Sequence, residues 1–506
     1  MKIVTNIEAV ELIRDGSTIG IGGFVGMCHP EEITSSIEKG FIDKGKPKNL
    51  TLIYAAGQGD RDSKGINHLA HEGLIKRVIG GHWALVPKMS SLVIKNKIEA
   101  YNFPQGVITH LYRDAAAKRP GSITHIGLNT FVDPRISGGK MNEITTEELV
   151  EVVNIQGREW LFYKTVSIDV ALIRGTYADE KGNISMEKEA GSLEMLTLAQ
   201  AAHNNGGVTI AQVERVVRRD SINPWMVKIP GILVDYVVIA DPSNHWQTFS
   251  EFYDPCLSGS IRIPFDFIPK LKLDERKIIC RRATMEIKSG AIVNLGIGMP
   301  EGISSIANEE CISDQMTITV ESGTIGGIPA SNLNFGAAYN PDAILDQAAQ
   351  FDFYDGGGLD IAFLGMAQVD EDGNVNVSKY GTFISGSGGF INITQSTKEI
   401  VFCGTFVYGG LEIEINNGNV VIKKEGSHKK FLKKVEQITF SGKYATLNKQ
   451  NILYITERAV FKLTAKGLML IEIAPGIDIE KDILKQMDFM PNISKKLKLM
   501  KNNIFC

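Results

Sequence analysis

Nowhere in its 506 residues does the chain offer the run of ~20 apolar residues that a bilayer-spanning helix needs. Its most apolar windows are interrupted by charge, as Asp235 interrupts Ile229 to Ala240. Residues 1–16 carry Glu8, Glu11 and Asp15 where a secretory leader requires unbroken apolar side chains, so no leader and no membrane partner are expected. Cysteine is sparse too. Cys28, Cys256, Cys280, Cys311, Cys403 and Cys506 form no Cys-x-x-Cys pair, which argues against a zinc or dithiol centre and for free thiols in a cytoplasmic protein. Nor is there an excess of one charge: the formal net charge is −4, and no block of like charge suits the phosphate backbone of a nucleic acid.

Several chemical signatures are missing as well. The glycine-rich stretch Tyr380 to Phe390 contains no Gly-x-Ser-x-Gly elbow, and the chain has no P-loop Gly-Lys-Ser/Thr, which disfavours a serine hydrolase and an ATPase. His68-Leu69-Ala70-His71 spaces two imidazoles three apart without a supporting ligand cluster; it reads as a polar surface face, and no metal site is expected.

Glycine, by contrast, is abundant: 51 residues, above the usual ~7%. Two families of turns recur. The helical pattern through Ile7, Val10 and Ile13 ends at Gly16, and an apolar strand then leads to Gly22-Gly23. Past residue 270 the same order returns, with a helix from Ile278 to Ile287, Gly290, a strand from Ala291 to Leu295, and Gly296-Ile297-Gly298-Met299-Pro300. A second, ungapped match lays SIDVALIRGTYADEKGNIS from Ser167 on GLDIAFLGMAQVDEDGNVN from Gly358, pairing Asp169 with Asp360 and Asp179 with Asp370. Two matches in one order indicate a duplication, with the longer insertions in the first copy.

Short apolar strands alternate with helical segments in both halves: Leu50 to Tyr54, Val208 to Val213 and Val234 to Ala240, then Thr317 to Val320, Ile361 to Leu364 and Glu399 to Phe402. This predicts an α/β fold of two related open-sheet domains, 1–240 and 273–506, joined by a linker over 241–272. The basic, amphipathic stretch Lys495 to Lys501 reads as a frayed terminal helix.

Glu321 falls at the carboxyl end of a predicted buried strand, before Ser322-Gly323-Thr324-Ile325-Gly326-Gly327. Ligands bind at that edge of an open α/β sheet. A carboxylate there is ionised without a helping base and can attack an acyl carbonyl; a glutamate that merely caps the turn fits the local sequence equally well. The turns at Gly22-Gly23, Gly296 to Pro300 and Gly386 to Gly389 can bring backbone N–H groups to a phosphate or an oxyanion, although strand-to-helix turns without a ligand look the same.

Taken together, Gly22-Gly23-Phe24 with Pro30, Pro104-Gln105-Gly106, Asn294 to Pro300, Glu321-Ser322-Gly323 and Gly386-Ser387-Gly388-Gly389 occur in the order seen in family I coenzyme A transferases. The resemblance spans almost the whole chain and is greatest to the single-chain acetate or propionate type. It implies two related α/β domains with the active site between them, Glu321 as nucleophile, and Gln105, Gly22, Gly23, Gly386, Gly388 and Gly389 around the reacting carboxyl. It further implies Gly296, Ile297, Gly298, Met299, Pro300 and Met366 near the coenzyme. Coenzyme A would then be a substrate and transient covalent adduct, no cofactor would be bound permanently, and the acids would be short. A homo-oligomer, dimer or tetramer, is expected. An acyl-CoA hydrolase using the same glutamate is the nearest rival reading, and a non-catalytic ligand sensor a remoter one.

Overall fold

A computed structural model describes residues 1–264 and 270–506. The linker read over 241–272 includes 265–269, which lie outside the described residues. The chain forms two compact units: 1–263 with 320–352 and 381–392, and 264–319 with 353–380 and 393–506. The first unit therefore recruits two segments from the second half of the sequence, Glu321 among them.

In the first unit, strands β1 (Lys2–Val4), β2 (Thr18–Ile21), β3 (Leu50–Tyr54), β4 (Ile75–Gly80), β5 (Glu99–Asn102), β6 (Val170–Arg174), β7 (Val208–Val213) and β8 (Tyr236–Ile239) build one sheet in the order β1-β8-β7-β6-β2-β3-β4-β5. Every neighbouring pair is parallel. Parallel strands are covered on both faces, and all five residues of β6 are buried. Helix α1 (Asn6–Glu11) starts on a capping box between Thr5 and Glu8, and α2 (Glu31–Lys44) stops where Gly45 takes a left-handed φ of +68°. Helix α3 (Gln105–Ala116) follows β5, and α4 (Met195–Asn204) lies between β6 and β7 in the chain.

In the second unit, α5 (Glu275–Thr284) precedes β9 (Ala291–Leu295), β10 (Met316–Thr319), β11 (Ile361–Gly365), β12 (Glu399–Cys403), β13 (Asn451–Ile455), β14 (Ala459–Thr464), β15 (Gly467–Ile473) and β16 (Asn492–Leu499). Their order in the sheet is β10-β9-β11-β12-β13-β14-β15-β16. The pairs from β10 to β13 are parallel, and β14 is antiparallel to both neighbours.

The duplication is visible bond by bond. Asp169 accepts the Thr18 N–H at 2.8 Å, and its counterpart Asp360 accepts the Ile292 N–H at 2.9 Å. Asn183 donates its side-chain amide to Asp179, and Asn374 to Asp370, both at 3.0 Å. In both units the carboxylate at the foot of one strand ties it to the strand beside it.

Some expectations need correction. The helix read over Ile278 to Ile287 begins earlier, at Glu275, because the Asp274 side chain accepts the Lys277 N–H at 3.1 Å and sets its start there. The basic C-terminal stretch is not a helix: it is edge strand β16, parallel to β15, where backbone pairing decides and the lysines remain outside. All six cysteines are free. Among the described residues no helix is long and apolar enough to cross a membrane.

Candidate active site

Strands β2 to β5 are consecutive neighbours in a parallel sheet, so the turns that leave their carboxyl ends line one edge. These turns carry Gly22-Gly23, Gly57-Gln58, Gly81-His82-Trp83 and Pro104-Gln105. The segment 385–389 is stitched onto that edge. Trp83 and Ala84 donate their N–H groups to the Ser385 carbonyl at 2.7 and 3.1 Å, and Gly388 donates to the Gly81 carbonyl at 2.8 Å. Buried Asn102 clamps both sides: its Nδ2 donates to the carbonyls of Gly80 and Gly81 at 2.8 and 2.6 Å, while its Oδ1 accepts the Ser387 N–H at 2.9 Å.

The first turn of α3 contributes in the same way. Leading helix N–H groups have no partner inside the helix. Here Gln105 donates its N–H to the Gly388 carbonyl at 2.9 Å, and Gly106 donates to Asn392 Oδ1 at 3.1 Å. The Gln105 side chain follows that fixed backbone: Nε2 is buried with no hydrogen-bond partner among the described residues, and Oε1 lies 3.7 Å from where a β-carbon on Gly388 would stand.

Glu321 sits in a tight turn. Val320 donates to the Thr324 carbonyl at 2.9 Å, and Gly323 to that of Val320 at 3.0 Å. Gly323 has φ +111° and no room for a side chain against the Leu345 carbonyl, so glycine is required there. Buried Ser322 anchors the turn through Oγ to the Gly336 carbonyl at 2.5 Å. Half-buried Glu321 then reaches the glycine loop: a β-carbon on Gly389 would lie 3.4 Å from Glu321 Cγ and 3.3 Å from Phe351 Cζ. Glu321, Gln105, Gly386, Gly388 and Gly389 thus meet within the first unit.

Two other predicted residues lie against buried side chains. Gly22 donates its N–H to the Leu172 carbonyl at 3.2 Å, and a β-carbon there would stand 2.6 Å from Met195 Cε of α4. Gly23 donates to Glu194 Oε1 at 3.3 Å, and its missing β-carbon leaves room for Gln58. Burial raises the Glu194 carboxyl to about 8. The N–H of Gly388 is engaged as well, whereas the Gly389 N–H has no hydrogen-bond partner among the described residues.

Gly296 to Pro300 and Met366 belong to the second unit, after the paired parallel strands β9 and β11. Gly296 donates to the Phe363 carbonyl at 2.8 Å, Arg276 holds the Gly298 carbonyl at 2.8 Å, and Ile297 is exposed. Met366 is buried. His68 and His71 are not a solvated face: both reach Glu38, and His68 also reaches Glu31 at 2.9 Å. Among the described residues no group of three or more His, Cys, Asp or Glu side chains could hold a metal.

Sequence reading passed over His82, Asn102 and Phe351. The one available signal was Gly80-Gly81-His82-Trp83, a glycine pair after an apolar strand that repeats the arrangement at Gly22-Gly23-Phe24.

The family model described as coenzyme A transferase matches residues 3–240 and 277–483. The chain is 50% identical to the caffeate CoA-transferase of Acetobacterium woodii, over 100% of this chain and 97% of that protein. It is 45% identical to the acetate CoA-transferase YdiF of Escherichia coli K12, over 100% and 95%. The crystal structure of the acyl-CoA transferase YdiF from Escherichia coli O157:H7, a thioester complex with CoA, superposes with a TM-score of 0.94 at 44% identity, covering 100% of this chain and 96% of that one. A family match over both halves, with relatives this similar along their full lengths, leads to one conclusion: the chain is an enzyme of the coenzyme A transferase family.

Proposed function

We propose that the protein moves coenzyme A between a short-chain acyl-CoA and a free carboxylic acid, with Glu321 as the nucleophile. The observation that carries this reading is the approach of Glu321 to Gly389, beside the unpartnered amide of Gln105, at the carboxyl edge of a parallel sheet. The Glu321 carboxylate attacks the thioester carbonyl; the C–S bond breaks, and the coenzyme thiolate leaves an acyl-glutamyl anhydride. The thiolate attacks the glutamyl carbonyl, the anhydride C–O bond breaks, and the first acid departs as carboxylate. Glu321 is then a thioester of coenzyme A. An acceptor carboxylate takes the coenzyme by the same steps in reverse, which makes the kinetics ping-pong.

One thioester replaces another, so no ATP is consumed. Each attack develops an oxyanion, for which Gln105 Nε2 and the Gly389 N–H are the assigned donors; removing one such donor costs roughly 3 kcal/mol of barrier. The N–H groups of Gly22, Gly23 and Gly388 are used inside the protein, and these glycines shape the wall. Gly296 to Pro300 and Met366 are assigned to the coenzyme. We take 1–240 and 273–506 as the two copies of the sequence duplication, in line with the span of the family match, although the first compact unit also takes in 320–352 and 381–392. We assign the enzyme to the cytoplasm as a homo-oligomer, with light scattering as the measure of dimer or tetramer.

Acetate, propionate, butyrate and acetoacetate are the proposed acids, in line with one relative's being named an acetate CoA-transferase. A second reading, an aromatic acid, is favoured by the 50% identity to a caffeate CoA-transferase. Competing acceptors separate the two by kcat/KM. Intact-mass measurement after incubation with acetyl-CoA tests the chemistry: a covalent CoA adduct mapping to Glu321 is expected. An adduct elsewhere, or a release rate indifferent to added acid, overturns the transferase reading, the latter in favour of a hydrolase.

A further inference from the structure

His82 follows β4, in the segment paired with the glycine loop, and the reaction as written leaves it without a task. Its imidazole is wedged between two glycines. On one edge, Nδ1 is buried with no hydrogen-bond partner among the described residues and lies against Gly57, where any β-carbon would overlap it. On the other edge, Cδ2 comes to 3.5 Å of the point where a β-carbon on Gly388 would stand, the point that Gln105 Oε1 approaches to 3.7 Å. Nε2 is bonded to Cδ2, on the side of the ring away from Nδ1.

Burial, with Arg61 adding to it, lowers the imidazole to about 4, and the ring is neutral near neutral pH. A neutral imidazole carries one proton. On Nδ1 that proton would be a buried donor with no acceptor among the described residues; the proton therefore belongs on Nε2 of this half-buried side chain. A cation next to a carboxylate nucleophile would pair with it and blunt its attack. A neutral N–H donor stabilises an oxyanion without that cost.

We propose that His82, as its Nε2–H tautomer, is a further catalytic residue that hydrogen-bonds the acyl oxygen of the substrate beside Gln105 and keeps its proton throughout the cycle. This rests on the coenzyme A transfer reading above. It assigns the side chain that follows β4 to the donor set and explains why Gly57 lacks a side chain.

The test compares His82→Gln, His82→Asn and His82→Phe in exchange between acetyl-CoA and propionate. Glutamine places an amide N–H near the position of Nε2, whereas asparagine reproduces only the Nδ1 position. The expected result is a kcat about 100-fold lower in His82→Asn and His82→Phe. KM should change far less, and His82→Gln should recover about a tenfold part of the loss. Nitrogen NMR of histidine-labelled wild-type protein, with the His82 signal assigned from its loss in His82→Gln, should show Nδ1 unprotonated. Folded His82→Asn or His82→Phe with wild-type kcat, or a proton on Nδ1, overturns the proposal while leaving the transfer reading intact. Wild-type protein that exchanges no coenzyme overturns both.

Discussion

Gln105 and Gly388 are joined through the backbone: the N–H that opens α3 donates to the Gly388 carbonyl at 2.9 Å, while Gly388 itself donates to Gly81 at 2.8 Å. One residue of the glycine loop is thereby held between the ends of β4 and β5. The positions of Gln105, His82 and the Gly389 N–H follow from those two bonds, and the following substitutions probe the arrangement.

Replacing Glu321 with alanine or glutamine should lower exchange by at least ~10³-fold, as removal of a nucleophile does. Its turn is held by backbone bonds and by Ser322, so the unfolding transition should stay where it is. Steady-state exchange and thermal melting check both halves of the statement. Substantial residual exchange in either variant refutes the assignment.

Asn102→Leu should be costly for stability and for rate together. It strips the Ser387 N–H of its acceptor and takes one donor each from the Gly80 and Gly81 carbonyls, which keep Trp83 Nε1–H and the Phe103 N–H, and the Gly388 N–H, respectively. The Ser387 N–H left unsatisfied costs about 1–3 kcal/mol before relaxation. Urea titration reports the stability and kcat the displaced loop; an unchanged midpoint would contradict the clamp.

Gly386→Ala and Gly389→Ala should fail in different ways. At Gly386, φ is +74° and the new methyl would stand 2.7 Å from Trp83 Cδ1 and 2.9 Å from the Gly81 carbonyl, so stability falls by about 1–3 kcal/mol. At Gly389 the methyl meets Phe351 at 3.3 Å and Glu321 Cγ at 3.4 Å, contacts that a small shift relieves. The second variant should melt close to wild type yet turn over poorly, because the shift falls on the nucleophile. Melting curves alongside kcat distinguish the two.

Glu194→Gln should change how stability depends on pH. Burial raises the folded carboxyl from the ordinary 4.5 to about 8, so between those values the folded protein keeps a proton that the unfolded chain has released. Stability then declines as pH rises through that window, by at most about 1.4 kcal/mol per unit from this group. A neutral glutamine lacks that slope. Urea midpoints should show the variant gaining on wild type between pH 5.5 and 8; parallel curves would mean that the carboxyl is ionised when folded.

Much of the architecture was legible because it is local. Strands Leu50–Tyr54 and Val208–Val213 carry unbroken apolar character between turn residues, and they occur with the bounds read from that pattern. The duplication was legible because Asp169 and Asp360 do the same work in each copy. Gly22 marks where such reading ends. Its surroundings in sequence suggest a ligand loop, but Met195, distant in the chain, rests on the spot a side chain would take. The C-terminal lysine-rich stretch ended likewise, since an edge of β15 open to pairing cannot be inferred from residues 492–499 alone.

By itself the amino-acid order determined the α/β alternation, the two related halves and the carboxylate at 321, because each is written in neighbouring residues through periodicity, turn chemistry and repetition. Only the tertiary structure decided which glycines lie against buried side chains and which approach Glu321, and that the histidine after β4 and Gln105 both come to Gly388. Those relations join β3, β4, β5 and the segment 385–389, and no property of any one of these segments specifies its distance to the others.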